Sequence, residues 1–500
     1  MSTPQRFSPR PLLLLALLLS LAFFCLRLAL ANLVDLAPDE AYYWQWAKHL
    51  ALSYYDQGPG LALAIGASTH LLGDNLMGVR MPALCCGLLL SLLGAWFGLR
   101  LARDAGQAAQ GDSLALWSVA AFNSILLFAV GGLLMVHDSL QVAFWVLALM
   151  ALLKVAETGG GAWWLLFALL GGLGVLSKYT GAFLLPCALL ALATHPALRL
   201  RLRGPWPWLA LALGAAVCSP ILIWNAQNGF PSFIHVLGLG GGDPSRVTHA
   251  ALGEFLGGQA GLATPVLFVL VAIAWGDGLR RRFKGQDTPL EWILWCVSAP
   301  VFLFFLLLSL RSRVEANWPA PAWWGGVLLA GLWLLKRGKL WGGWSRLGLG
   351  LALLLSLLVY AQAVHAWLPI PASRPNLDAV ARVAGWDELG QRVQARLEAL
   401  PGGFVGAATY QNAAELSFLL PEHPQVLVVG REVLNHQYRF WNHPEEHLGQ
   451  DAIVVAENQG EADRMAACFQ RFTKLEVYDF RRHGNRVRHQ EIYWGRGFKG

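Results

Sequence analysis

The stretch DEAYYWQWAKHLALSYYDQGPG, Asp39 to Gly60, holds three carboxylates, four tyrosines, two tryptophans and a Gly-Pro-Gly turn. It closely follows PLLLLALLLSLAFFCLRLALA, residues 11–31, which supplies about 20 apolar residues, a full membrane span. Arg6 and Arg10 precede this run and LALA ends it, as in a secretory leader. The run is longer than a leader's apolar core and more spans follow, so it reads as a retained first helix. Dense polar and aromatic chemistry directly after a span then marks one membrane face.

The composition agrees. Of 500 residues, 56% are hydrophobic and only 14% charged. The mean hydropathy is +0.46, which describes a polytopic membrane protein. The net charge of +7 comes from short basic clusters between apolar segments, so positive-inside topology explains it and nucleic-acid binding is excluded. Six cysteines (Cys25, Cys85, Cys86, Cys187, Cys218, Cys296) sit in apolar segments and Cys468 stands alone in the polar tail, which rules out a disulfide or zinc framework.

Apolar segments recur at 11–31, 80–102, 113–130, 139–156, 162–176, 180–194, 207–225, 261–276, 290–310, 321–335 and 347–367. They predict about eleven transmembrane helices. With a cytoplasmic N-terminus, the inner loops carry Arg100 and Arg103, Lys154, Arg199 to Arg203, Arg280 to Lys284, and Lys336 to Arg346. The outer loops carry far fewer basic residues, which supports an N-in, C-out topology. Every loop with unusual chemistry then falls outside: Asp39 to Gly60, VHDS at Val136 to Ser139, SKYTG at Ser177 to Gly181, NAQNGFPSFIH at Asn225 to His235, and RSRVEANWPAP at Arg311 to Pro321. Converging polar loops predict a cavity open to the periplasm and outer leaflet.

After residue 367 helix and strand patterns alternate, as in WDELGQRVQARLEAL, FVGAATY, QVLVVG, DAIVVAE and KLEVYDF. The expected architecture is therefore mostly α. A membrane domain over 1–367, with a long first outer loop at 32–79, is followed by a small periplasmic α/β domain over 368–500, with PIPASRP as linker.

Pro38 favours a first helical position, placing Asp39 and Glu40 in the first turn of a helix. There they offset the helix dipole, and the tyrosines and tryptophans suit an interface whatever the function. Yet Asp39, Tyr43 and Trp46 share one face at i, i+4 and i+7, and Asp56 returns toward the same rim. A carboxylate among aromatic rings at a membrane surface suits sugar transfer from a lipid phosphate to a hydroxyl. The hydroxyl needs a base, the departing phosphate needs a cation, and rings stack on sugar faces.

PDEAYYWQWAKHL with YYDQGPG, HDS, LSKYTG and RVEANWPAPAWW resembles the bacterial members of glycosyltransferase family 39. Its relatives include the protein O-mannosyltransferases and the lipid A aminoarabinose transferases, which share the GT-C fold. The likeness spans the membrane portion and, more loosely, the tail, through GWDELG, AELSFLLP and NHQYRFW. It implies catalytic roles for Asp39, with its neighbour Glu40, and for Asp138, although Asp138 could also cap the helix that follows. Asp56 matches a metal-binding acid of the aminoarabinose transferases, with His235 and His249 as further candidate ligands of a divalent ion. Gln57 departs from a phosphate-binding lysine in those relatives. That duty is assigned to Lys178, then Arg246, Arg311 and Arg313. Tyr43, Trp46, Tyr55, Glu315, Asn317 and Trp318 are the candidate sugar and acceptor contacts.

The resemblance implies an inverting membrane glycosyltransferase using a polyprenyl phosphate sugar, with a lipid A, glycan or protein acceptor and no nucleotide cofactor. A transporter or flippase for a lipid-linked glycan is the rival. It calls for repeat symmetry or charged, broken helices near the bilayer centre.

Overall fold

Backbone polar groups in hydrocarbon have no water to bond, so apolar runs of this length must close their hydrogen bonds as helices. In the computed structural model, which describes residues 10–240, 249–368, 383–430, 434–482 and 484–500, all eleven apolar segments are helical over most of their length. Six helices among the described residues are long and apolar enough to cross a membrane: Pro11–Leu30, Leu76–Asp104, His137–Thr158, Trp206–Asn228, Pro289–Leu308 and Gly343–His365. The pair Ala251–Ala263 and Pro265–Phe283, bent by 103°, would make a seventh. The chain is a multi-pass membrane protein.

Eleven full-length spans are not present among the described residues. Gly161–Ser177 and Tyr179–Thr194 are apolar but short, and so is Gly60–Leu72, which the sequence reading left inside the first outer loop. The expected span at 113–130 is broken where Ile125 adopts extended backbone between Gly111–Ser124 and Leu126–Gly131. At the 103° bend Thr264 takes φ +69° before Pro265 and caps the new helix by accepting from the Leu267 amide. The linker expected at Pro369 to Pro375 lies outside the described residues.

The chain divides into two compact units, the boundaries of which differ from a simple cut at residue 367. One takes in the chain up to Leu28 together with Pro82–Leu357; the other comprises Ala29–Met81 and Leu358–Gly500. In the helical unit, His137–Thr158 runs through the middle, 78% of its apolar window being buried, whereas the window of Pro11–Leu30 is 17% buried and turns its leucines outward. The core is aromatic: Phe122 stacks on Trp324 at 5.3 Å and Phe97 meets the same indole edge-on at 4.9 Å. Gly331 lets the Ala320–Lys336 helix approach, since a Cβ there would come within 2.8 Å of Leu114 and Trp117.

The second unit contains a five-stranded sheet of β1 (Phe404–Ala407), β2 (Leu427–Val428), β3 (Ala452–Ala456), β4 (Phe469–Arg482) and β5 (Asn485–Phe498), in the order β2-β1-β3-β5-β4. β1 is parallel to β2 and β3, whereas β5 is antiparallel to β3 and β4. The Pro38–Lys48 helix lies on the Tyr410–Leu419 helix through Trp44 against Phe418 and Tyr42 against Tyr410.

Its first turn is fixed by charge. Glu40 and Arg80 are both fully buried, with Arg80 Nη2 2.7 Å and Nε 3.0 Å from the carboxylate. The guanidinium also donates to the carbonyls of Ala31, Val34 and Asp35, gathering the chain that leaves the first span. Arg80→Met would strand the Glu40 carboxylate away from water and is expected to cost about 3–5 kcal/mol. Thermal unfolding of the variant should show the loss, and adding Glu40→Gln should recover much of it, because neither charge then stays buried.

Candidate active site

Asp138 stands in the first turn of the His137–Thr158 helix and Lys178 at the C-cap of the Gly161–Ser177 helix. Each charge therefore sits at the helix end whose dipole favours it. Lys178 Nζ lies 2.6 Å from Asp138 Oδ1, and Asn317 Nδ2 donates to Asp138 Oδ2 at 2.7 Å. The turn is riveted on both sides: His137 Nδ1 meets the Ser177 carbonyl at 2.9 Å and Gln141 donates to Thr180 at 2.8 Å. Three of the polar loops singled out from the sequence, HDS, SKYTG and RVEANWP, thus converge within the helical unit.

The chemistry follows from the contacts. Both carboxylate oxygens of Asp138 are engaged, which makes it the counter-ion that holds Lys178. An ammonium carries three donors, and Asp138 uses one of them. Beside the pair is a cavity of about 30 Å³, large enough for a water molecule, lined by Arg27, Gly87, Gly131, Gly132, Asp138 and Ser139 among apolar walls. Arg27 is only 2% exposed, and Cβ atoms at Gly87 or Gly132 would come within 3.2 Å of its guanidinium. Sequence reasoning missed Arg27, although a lone arginine inside an apolar span is a signal in itself.

In the other unit, Asp39 is exposed in the first turn of its helix. Tyr42 donates to Asp56 Oδ2 at 2.7 Å, its oxygen accepts from the Gln437 amide at 2.7 Å, and the Tyr55 amide donates to Gln437 Oε1 at 2.7 Å. Burial pushes the Asp56 carboxyl up to about 6; the Tyr42 bond opposes this and the nearby Asp39 charge adds to it. Burial likewise drives the Tyr42 phenol well above its usual value. Tyr410, Tyr438 and Trp441 ring Tyr42 with centroids at 4.7, 6.2 and 6.4 Å. The NHQYRFW segment therefore supplies part of this wall.

The remaining candidates divide. Glu40 is spent on Arg80 and cannot act on a substrate. Trp46 is fully buried and stacks on Tyr54 at 4.3 Å, so it is core rather than a sugar platform, and Tyr55 is nearly buried. Tyr43 remains half-exposed. Trp318 packs on the helical core and meets Phe305 at 6.1 Å instead of lining a groove. Arg313 bridges Glu254 and Glu315 on the surface, and Arg311 is exposed; neither is among the contacts of Asp138. Arg246 lies outside the described residues, as does the side chain of His249, and His235 is half-buried in the Pro231–Gly240 helix. Among the described residues no three His, Cys, Asp or Glu side chains gather to hold a metal ion.

Residues 56–224, which include Asp56, Asp138 and Lys178, match the family described as Dolichyl-phosphate-mannose-protein mannosyltransferase. The chain is similar to the lipid A galacturonosyltransferase RgtD of Rhizobium johnstonii, 28% identical over 323 residues. That match covers 64% of this chain and 65% of the relative, so it spans just under two thirds of the relative's length. The fold is that of ArnT from Cupriavidus metallidurans, with a TM-score of 0.60 at 15% identity over 96% of this chain and 97% of that one. ArnT is known both free and bound to undecaprenyl phosphate. An Archaeoglobus fulgidus oligosaccharyltransferase aligns with a TM-score of 0.51 at 15% identity, covering 94% of this chain and 68% of the other. The resemblance is borne out by these likenesses, and the architecture is the fold seen in ArnT.

The Asp56 carboxyl titrates near 6 in the folded chain against an ordinary 3.8, so the native state holds an extra proton between those values. Its contribution to stability is full below the lower value and is lost as pH rises through the upper one. Asp56→Asn is expected to abolish this slope and to unfold at a higher temperature than the wild type at neutral pH. Parallel pH–stability curves for the two proteins from about pH 4 to about pH 7 would contradict the assignment.

Proposed function

We propose that this chain, with its GT-C fold and its likeness to lipid A and protein glycosyltransferases, moves a sugar from a polyprenyl phosphate to an acceptor hydroxyl or phosphate at the periplasmic face of a bacterial inner membrane. The single observation that carries this reading is the buried Lys178–Asp138–Asn317 set beside the Arg27 cavity. It keeps cations ready in an apolar interior, where a phosphate would otherwise be costly to hold.

The acceptor oxygen attacks the anomeric carbon as the bond from that carbon to the phosphate oxygen breaks, inverting the configuration. The acceptor proton passes to a carboxylate base, the role that the resemblance gives Asp39. The electron pair of the broken bond leaves on the polyprenyl phosphate, against Lys178 and Arg27. Asp138 fixes Lys178 for this role. The acceptor class favoured by the similarity to RgtD is lipid A, ahead of other glycans and protein.

Full-length protein in nanodiscs, given an undecaprenyl phosphate sugar and an envelope lipid acceptor, tests the reading. Asp39→Asn and Lys178→Met, each confirmed folded and inserted, are expected to slow transfer by about a hundredfold or more. Wild-type rates in Asp39→Asn would remove it as the base. Lipid movement across the bilayer without a new glycosidic bond would replace the transferase by a flippase.

A further inference from the structure

The β4–β5 hairpin ends in FRRHGNRVRH, residues 480–489. Its register sets Arg481 directly opposite Arg486, and Asp479 opposite His489. Like charges facing each other across a hairpin repel, so this pairing asks for an anion. The two arginines are 57% and 53% exposed and share one carboxylate, Asp479, at 3.6 and 3.8 Å. That acid is already bound more closely by His489, at 2.7 Å.

Arg482 fixes where this excess charge sits. Its guanidinium donates to the carbonyls of Gln362 at 3.4 Å and Ala363 at 3.3 Å, in the last turn of the Gly343–His365 helix. Such terminal carbonyls have no partner within their own helix, and a cation there also meets the negative end of its dipole. That helix is one of the six long and apolar enough to cross a membrane, so a span along it would bring these carbonyls to the headgroup boundary. Trp367 and Leu368, which follow, are 67% and 52% exposed, as suits the headgroup boundary. Arg482 itself lines a cavity with Asp35, Asp387 and Glu388, where acids balance it; Arg481 and Arg486 are not part of that lining.

We propose that the hairpin tip is a clamp for the phosphate of anionic membrane-lipid headgroups, with Arg481 and Arg486 as its two jaws. Guanidinium groups match phosphate oxygens in geometry as well as charge, and a basic group near an anionic leaflet gains most from lipids without a compensating headgroup cation. The clamp would anchor the tail unit to the leaflet in which the last span ends, independently of the transfer chemistry.

Detergent-purified full-length protein is titrated with phosphatidylglycerol, phosphatidylcholine or inorganic phosphate, and bound lipid is counted by native mass spectrometry. Phosphatidylglycerol is expected to bind the wild type, and Arg481→Gln/Arg486→Gln to weaken that binding about tenfold. Asp479→Asn, which removes the competing carboxylate, is expected to strengthen it, an outcome that damage to the fold would not produce. Equal binding of phosphatidylglycerol by the wild type and both variants overturns the proposal. So does equal binding of phosphatidylcholine, or displacement of the lipid by an equal concentration of free phosphate.

Discussion

In the interior of the helical unit, the ion pair of Asp138 with Lys178 governs what else is possible. Either charge alone, buried as both are, would cost several kcal/mol. Paired at 2.6 Å, with Asn317 on the second carboxylate oxygen, each charge has its partner in place. The pair also ties together the ends of two helices, and Asn317 adds the loop that leads into a third. A charged residue within the apolar first span, Arg27, can then face a cavity whose other polar lining includes Asp138 and Ser139. The pair is neutral by itself, so the guanidinium leaves the surroundings positive.

The second unit shows how two neighbouring acids acquire opposite fates. Successive residues on a helix point about 100° apart, so Glu40 turns inward to Arg80 while Asp39 faces outward. The inward acid holds the first turn of its helix, and through Arg80 the chain leaving the first span. This leaves the outward acid on a rigid base, which suits a group that must be both accessible and aimed. Tail residues complete the local wall: the backbone amide of Gln437 donates to the same tyrosine that donates to Asp56, and the Gln437 side chain accepts from Tyr55.

Much of this was legible in the sequence because membrane physics is written in composition. Each apolar segment became helix, and the α/β alternation after residue 367 became a sheet with helices. Asp138, Lys178 and Asn317 were each singled out from separate loops, and they touch. The misreadings have physical causes. Hydropathy measures apolarity but not breaks, so the extended residue Ile125 and the bend at Thr264 were invisible to it. Helical spacing put Trp46 on the face of Asp39, but stacking on Tyr54, which lies beyond the helix, draws the indole into the core. Trp318 was drawn to its core by Phe305 in the same way. The role of Arg80 was not legible, because no local pattern reveals a partner forty positions away.

The most direct test of the central claim is a cryo-EM structure of the full-length protein with undecaprenyl phosphate bound. The account predicts the lipid phosphate within hydrogen-bonding distance of Lys178, with Asp138 still gripping the same ammonium and the Arg27 guanidinium on the phosphate side of the cavity. A phosphate held by other cations, with the Lys178–Asp138 pair remote and undisturbed, would contradict it.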